Sequence, residues 1–529
     1  MNQPKVHREI ERKLEVPRGF RLPRLAGSVA GVATAEAQPV LHLEAVYFDT
    51  ADLRLARSHI TLRRRTGGVD DGWHLKLPVH GARGKRGAAG RRSHAEAASR
   101  DELQLPLGDQ RDDAHEPPWA LVSAVLGITR GAPLAPVATI RNERRPTQLV
   151  DADGRPIAEI TDDRVTVLRS GRITERFREI EVEAAAHRSV DDLEPVVQAL
   201  VAAGATISTF SSKAARALGP GATAAPDIAT PPKVGVHDPA VDAIRAHLAR
   251  HTAALVREDL NVRRGLPEGV HQMRVAARRL RSGLRVFGPL IDADWSRTTR
   301  DELGWIAGEL GAARDREVLE ARLLHDLASL PIADAAVQAA ADVVRRVLGA
   351  EALAAAARST EAMESERYLA LLDRLVSASA APPVTDAASH SCAHELRPLV
   401  RQAWRKFRRD ADALRKKSAD DQWHAVRIRG KHTRYALDAL TPVFGRPARE
   451  WAKQVATVTE LLGMHQDAAL AADTARLLAA EHADGSTGFV FGLLHDAERA
   501  HVTEARRQFE ALWPDVTHPR WRRWLRTRH

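Results

Sequence analysis

Glu9-Ile10-Glu11-Arg12-Lys13 puts an acid or a base at every second position near the start of the chain. In a strand, side chains alternate, so Glu9, Glu11 and Lys13 share one face while Ile10, Arg12 and Leu14 take the other. Two carboxylates about 7 Å apart on a dry face repel each other, and they make sense where a hard cation sits between them. Glu179-Ile180-Glu181-Val182-Glu183 repeats the pattern far downstream, with three acids on one face. Between the two lies Arg63-Arg64-Arg65, with Arg63 and Arg65 on a common face. Acid, base and acid at period two predict antiparallel strands around a charged interior, a cavity suited to a polyanion that arrives with a divalent metal. No Ser or Cys nucleophile with a nearby base stands out. Phosphoryl transfer needs none, because it depends on charge neutralisation and in-line positioning.

The elements that must position these groups are β-like over the first 218 residues. A strand ends at 46–50, and 60–66 and 73–77 form a hairpin across the Gly- and Asp-rich turn between them. Segment 81–92 is glycine-rich and basic and reads as a mobile loop; Gly84, Lys85 and Arg86 lack the spacing of a P-loop. Residues 101–126 read as helix with loops. Strands follow at 137–149, 157–161, 165–168 and 176–183, with Asp162-Asp163 as a turn. An amphipathic helix at 190–203 is ended by Gly204. Residues 219–233 (GPGATAAPDIATPPK) have no periodicity and read as a linker. From 236 onward the pattern is helical, broken at 380–386. The expected domains are 1–218, a linker at 219–236, and 237–529 in halves of about 237–380 and 387–529.

Composition limits the partners. A chain of 529 residues is too long for one core. A net charge of +10 points to an anionic partner: nucleic acid, a membrane surface or polyphosphate. Only three Tyr leave few groups for base stacking, which disfavours nucleic acid. The most apolar stretch, 333–357, is interrupted by Asp342, Arg345, Arg346 and Glu351, so it reads as a soluble helix and no membrane partner is expected. The single Cys392 excludes a disulfide framework and fits a reducing cytoplasm, and no signal peptide is visible.

The helical half contains a repeat. His271-x-x-Arg274-x-x-x-Arg278-x-x-Arg281 recurs 153 residues later as His424-x-x-Arg427-x-x-x-Lys431-x-x-Arg434. Leu310-Gly311-x-x-x-Asp315 recurs 152 residues later as Leu462-Gly463-x-x-x-Asp467. Two motifs in the same order at nearly one offset indicate duplication, and so two bundles of similar plan. On a helical wheel His271, Arg274, Arg278, Arg281 and Arg285 form one stripe, opposite Met273, Ala277, Leu280, Leu284 and Phe287. The second copy sets Val426, Gly430, Thr433, Leu437 and Leu440 against its own basic stripe. Like charges four residues apart cost a few tenths of a kcal/mol each, so a line of arginines makes sense where an anion lies along it.

Each signal has a plainer reading. An E-x-E-x-K run alone is more often a solvated edge strand, and one basic helix face is usually just wet. His271 and His424 have no His or Glu partner at i+4 and suit caps or donors better than metal ligands. Gly311 and Gly463 fit close helix packing; Asp315 and Asp467 either orient an arginine or face water. The duplication and the strand order lift these signals together.

Taken together, Glu9 to Lys13, Leu62-Arg63-Arg64-Arg65, Leu75-Lys76, 159–162, Glu179 to Glu183 and Ser212-Lys213-Ala214-Ala215-Arg216 resemble the CYTH domain of the triphosphate tunnel metalloenzymes over most of 5–218. Residues 271–287 (HQMRVAARRLRSGLRVF), with their echo at His424, resemble the conserved-histidine α-helical domain, CHAD, over about 237–525. The resemblance implies a multidomain α and β protein: an eight-stranded antiparallel β-tunnel that binds a linear triphosphate, then an all-α domain that binds inorganic polyphosphate. It implies that Glu9, Glu11, Glu179 and Glu181 bind Mg²⁺ or Mn²⁺, with Asp162 or Asp163 assisting. Lys13, Arg63, Arg65, Lys76, Lys213 and one of Arg144 or Arg145 would grip phosphates, with Arg216 beside them. The expected activity is hydrolysis of inorganic triphosphate, in the cytoplasm and in association with polyphosphate granules. The alternatives are a thiamine or nucleoside triphosphatase, an adenylate cyclase of the same fold, or a non-catalytic polyphosphate-binding scaffold.

Overall fold

The computed structural model describes all residues except 1–4, 69, 79–97, 108–115, 232, 333–334, 483 and 527–529, and the basic segment expected at 81–92 falls outside the described residues. The chain divides into two compact units, Met1–Asp227 and Ile228–His529.

In the first unit the strands are β1 (Lys5–Glu15), β2 (Thr34–Ala37), β3 (Leu41–Asp49), β4 (Thr61–Thr66), β5 (Gly72–Pro78), β6 (Ala98–Leu105), β7 (Ala135–Val150), β8 (Pro156–Arg169), β9 (Arg172–Ala184) and β10 (Thr206–Ile207). Eight of them pair antiparallel in the order β1-β6-β5-β4-β3-β7-β8-β9, and β9 pairs back to β1, so the sheet closes into a barrel. The short β2 and β10 extend the edges of β7 and β1. Closure leaves those eight strands without a free edge.

The alternation read from sequence sorts the barrel's two faces. Ile180 and Val182 of β9, Ala158 and Ile160 of β8 and Leu14 of β1 point outward and are buried beneath α4 (Val190–Ala202). That helix starts at a Ser189–Asp192 capping box, ends as Gly204 turns to φ 102°, and buries Leu193, Val196, Val197 and Leu200, each worth about 1.5–3 kcal/mol. The helices α1 (Arg54–Arg57), α2 (Trp119–Ala124) and α3 (Leu126–Thr129) are short connections. At one end α5 (Lys213–Leu218) packs Ala214 and Ala217 onto Ala45, Tyr47, Ile140, Val165 and Val167, inward-facing positions of the barrel.

Three local expectations need correction. The helix expected from 101 begins instead as strand β6, and among the described residues of that span helix starts at Trp119. Asp162-Asp163 makes no turn: β8 runs unbroken through both, so the strands expected at 157–161 and 165–168 are one. Part of the expected linker is built into the first unit, where Ala222 is buried and Asp227 takes Arg57 at 2.7 Å.

The second unit holds α6 (Ala240–Arg263), α7 (Gly269–Val286), α8 (Ala293–Ala328), α9 (Ala335–Glu364), α10 (Glu366–Ala380), α11 (Cys392–Asp412), α12 (Asp420–Phe444), α13 (Arg446–His482) and α14 (Gly485–Thr517). The duplication relates α6-α7-α8-α9 to α11-α12-α13-α14, and α7 packs on α12. The two halves meet again where Pro239, before α6, pairs with Ser391, the equivalent position before α11. One core gathers α6, α7, α10, α11, α12, the first halves of α8 and α13 and the last turns of α9 and α14. A second forms where the distal half of α8 meets α9, α13 and α14, around Leu323, Val344, Ala475 and Leu494. Among the described residues no helix is long and apolar enough to cross a membrane.

Candidate functional site

The barrel encloses a cavity of about 330 Å³. Register brings its charged side chains together: Lys13 stands opposite Glu181, Asp163 opposite Glu179 and Arg144, and Lys76 opposite Glu102. On the acidic side, the carboxylate oxygens of Asp163, Glu179 and Glu181 lie within 4.8 Å of one another. Lys213 Nζ, at the first turn of α5, sits 2.8 Å from Asp163, 2.6 Å from Glu179 and 2.8 Å from Glu181. Arg144 forks onto Asp163 at 2.7 and 2.9 Å and reaches Glu181 at 2.8 Å. Lys13 bridges Glu11, at 3.1 Å, and Glu181. Burial alone would push Lys213 toward neutrality; Asp163, Glu179 and Glu181 outweigh it and hold the ammonium well above its usual range.

On the basic side, Lys76 takes Glu9 at 2.6 Å, Arg63 approaches Tyr47 Oη at 3.4 Å and Glu102 at 3.7 Å, and Arg65 pairs with Asp70. Burial, with Arg63 and Arg144 nearby, brings Arg65 down to about 9. A bound polyanion would relieve such crowding of cations. The buried Nε atoms of Arg63 and Arg65 and Asn142 Oδ1 have no protein hydrogen-bond partner. Across the cavity, burial and the neighbouring Glu9, Glu11 and Glu181 push Glu183 up to about 7 against the pull of Lys76. The donors are hard carboxylate oxygens beside orphaned guanidinium nitrogens, and they fit a divalent cation of the Mg²⁺ or Mn²⁺ type together with a phosphate.

The expected site residues divide by face. Glu9, Glu11, Lys13, Arg63, Arg65, Lys76, Glu181 and Lys213 line the cavity, with Glu179 buried against Lys213 beside them. Glu9 and Glu11 pair with lysines, and among the described residues of the barrel the group whose oxygens approach closely enough to share an ion contains Asp163 rather than either of them. Asp162 does not join it: its carboxylate points outward and forks onto Arg178 at 2.7 Å, because neighbours on a strand face opposite ways. The same parity turns Arg144 inward and Arg145 outward to Glu143 at 2.9 Å. Arg216 is not among the cavity lining; it lies 3.9 Å over the Phe177 ring and 2.9 Å from Glu175. Sequence reasoning missed Arg100 and Glu102 of β6. Glu102 lies 2.9 Å from His74 Nδ1, whose Nε2 is 2.9 Å from the Asp70 carbonyl, so one carboxylate ties β5 and its turn to the basic wall. The signal was Arg100, Glu102 and Gln104 at period two.

In the helical unit Met273, Ala277, Leu280, Leu284 and Phe287 are buried, as are Val426, Gly430, Thr433, Leu437 and Leu440. The basic stripes stay on the outside: His271, Arg278, Arg281 and Arg285 are exposed, while Arg274, His424, Arg427, Lys431 and Arg434 are half-buried. Arg274 lies across α8, pairing with Asp315 at 2.9 Å; a Cβ at Gly311 would come within 2.6–2.8 Å of its guanidinium. Gly304 receives Arg281 at 3.3 Å, whereas a Cβ at Gly463 would meet only Arg427 Nε, at an ordinary 4.0 Å. Gly311 and Gly304 seat arginines rather than helix backbones. Arg278 reaches over Tyr435 of α12 at 5.9 Å, and Arg285 meets His432. Burial, with Arg427 and Arg278 beside it, lowers Lys431 to about 8, so the two stripes share one positive field. His424 Nδ1 lies 2.6 Å from Gln466, a structural contact.

A CYTH domain model matches residues 7–201 and a CHAD domain model matches 246–476. An uncharacterised protein of Mycobacterium tuberculosis (MT2285, strain CDC 1551 / Oshkosh) is 32% identical over 543 residues, spanning 96% of each chain. Among solved structures, PptA from Streptomyces chartreusis is 26% identical, with a TM-score of 0.47 over 52% of this chain and 100% of its own. The CHAD domain from the plant Ricinus communis is 24% identical, with a TM-score of 0.44 over 54% of this chain and 94% of its own. The chain is a CYTH–CHAD protein, a member of the same family as its mycobacterial relative.

Proposed function

We propose that the barrel hydrolyses inorganic triphosphate with the help of Mg²⁺ or Mn²⁺, and that the helical unit binds inorganic polyphosphate. The observation that carries the first half is the Asp163–Glu179–Glu181 cluster facing Arg63, Arg65 and Lys76 within one closed barrel. Guanidinium forks and ammonium groups fixed to strands can take up phosphate oxygens along a linear substrate. Burial of those cations makes each contact stronger than it would be in water. A divalent ion on the carboxylates would add charge neutralisation and a more acidic attacking water. The second half rests on the shared field of two duplicated stripes. Counterion release would make such binding fall steeply with salt.

A nucleoside or thiamine triphosphate is the second reading, favoured by the apolar patch of Leu41, Leu43, Ala45 and Ile140 on the cavity wall. Glu181→Gln tests the reading common to both. It preserves shape and removes one charge from the cluster, so turnover should be lost while the fold remains. Turnover at the wild-type rate would overturn the assignment.

A further inference from the structure

Two cavities of the helical unit are copies of one another under the duplication. The first, about 160 Å³, lies between the end of α7 and the paired helices α11 and α12; the second, about 260 Å³, lies between the end of α12 and the paired helices α6 and α7. Ser282, Arg285 and Val286 of the first correspond, 153 residues on, to Tyr435, Asp438 and Ala439 of the second. His432 of the first corresponds likewise to Arg279 of the second.

The chemistry has diverged where the shape has not. In the second cavity one carboxylate, Asp438, shares the wall with Arg250, Arg279 and Arg449. In the first, Arg285 stands at that position beside Lys406 and Arg429, and no carboxylate lines the wall; Arg429 reaches Asp410 at 3.2 Å outside it. Burial, with Arg300, Arg281 and Arg429 around it, lowers Arg285, and burial beside Arg285 and Arg429 brings His432 down to about 4. The field within the cavity is positive, with Asp410 offsetting part of Arg429 from outside. Besides the polar Ser282 and Gln402, the wall holds Val286, Pro289, Leu399, Ala403 and Ala436, an apolar floor that a bare phosphate chain would leave unmatched. On α12, Arg429, His432 and Ala436 lie on the side away from Arg427, Lys431 and Arg434, so this cavity shares Arg285 with the α7 stripe but none of the α12 stripe.

We propose that the first cavity binds a small organic phosphate, a monoester whose phosphate meets Arg285, Lys406 and Arg429 and whose apolar body rests on Val286, Leu399 and Ala436. The site does not involve the barrel and shares only Arg285 with the stripes of the polyphosphate reading, so the variants that test it change Lys406 and Arg429, which lie in neither stripe. Full-length protein titrated calorimetrically with phenyl phosphate, and separately with orthophosphate, tests it. Phenyl phosphate should bind about tenfold more tightly than orthophosphate, since only it fills the apolar floor. Lys406→Ala with Arg429→Ala, both exposed, should weaken phenyl phosphate by about tenfold or more. Arg250→Ala in the second cavity should leave it unchanged. Equal binding of the two probes would overturn the proposal, as would full binding by the double variant or an equal loss from Arg250→Ala.

Discussion

Lys213 is the sharpest place to perturb the barrel. Its ammonium lies 2.6–2.8 Å from three carboxylates, all in a buried cluster that Arg144 and Lys13 neutralise only in part. Lys213→Met keeps most of the length and removes the charge. Breaking a buried ion pair by deleting one partner costs roughly 3–5 kcal/mol, because the remaining charge is left uncompensated. For a unit of this size, Met1–Asp227, each kcal/mol moves Tm by about 2–4 °C, so the barrel transition should fall by roughly 6–20 °C in EDTA. The helical unit provides an internal control, since its own transition should not move. Added Mn²⁺ or Mg²⁺ should then restore most of the loss, and should raise the variant more than the wild type, because a divalent ion supplies the missing charge at the same carboxylates. Differential scanning calorimetry of the full chain reads both effects. An unshifted barrel transition in EDTA would refute the electrostatic account. A metal response no larger than that of the wild type would refute the cluster as a metal site.

Two further outcomes concern the helical unit. Lys431 is lowered to about 8, so it loses its proton as pH rises through that value, while a bound polyanion favours the charged form. Polyphosphate affinity measured between pH 7 and 9 should therefore fall with rising pH, and Lys431→Arg, which stays charged, should flatten that step; an unchanged step would place the titration elsewhere. Gly311→Ala should push Arg274 off α8 and away from Asp315. Helix propensity gained and a surface ion pair lost offset each other to within about 1 kcal/mol, so stability should hardly change while polyphosphate affinity falls several-fold; unchanged affinity would mean that the seat of Arg274 is irrelevant to binding.

Side-chain parity carried most of what could be read in advance. Glu9, Glu11 and Lys13, Arg63 and Arg65, and Glu179 and Glu181 face one interior because period two is a local property of the strand. The opposed apolar and basic faces of α7 and α12 follow from the helical period in the same way. What failed was long-range. Two adjacent aspartates look like a turn until their partners are known: Arg178 holds Asp162 outside the barrel, while Arg144 and Lys213 hold Asp163 inside it. β6 was hidden because Asp101 and Glu102 suit a helix start as readily as a strand, and only pairing with β1 and β5 decides between them. Arg216 sits beside Lys213 in sequence, yet α5 turns it toward Glu175 and Phe177. The seating of Arg274 and Arg281 against glycines belongs to helix packing and has no local signature.

The central claim is that the barrel is a metal-dependent triphosphatase for a substrate without a base. Phosphate release by the full-length protein from tripolyphosphate, compared with release from ATP at equal concentration, with Mg²⁺ or Mn²⁺ and again with EDTA, tests it most directly. The account predicts rapid release from tripolyphosphate, much slower release from ATP, and none from either in EDTA. Turnover that persists in EDTA, or ATP consumed as readily as tripolyphosphate, would contradict it.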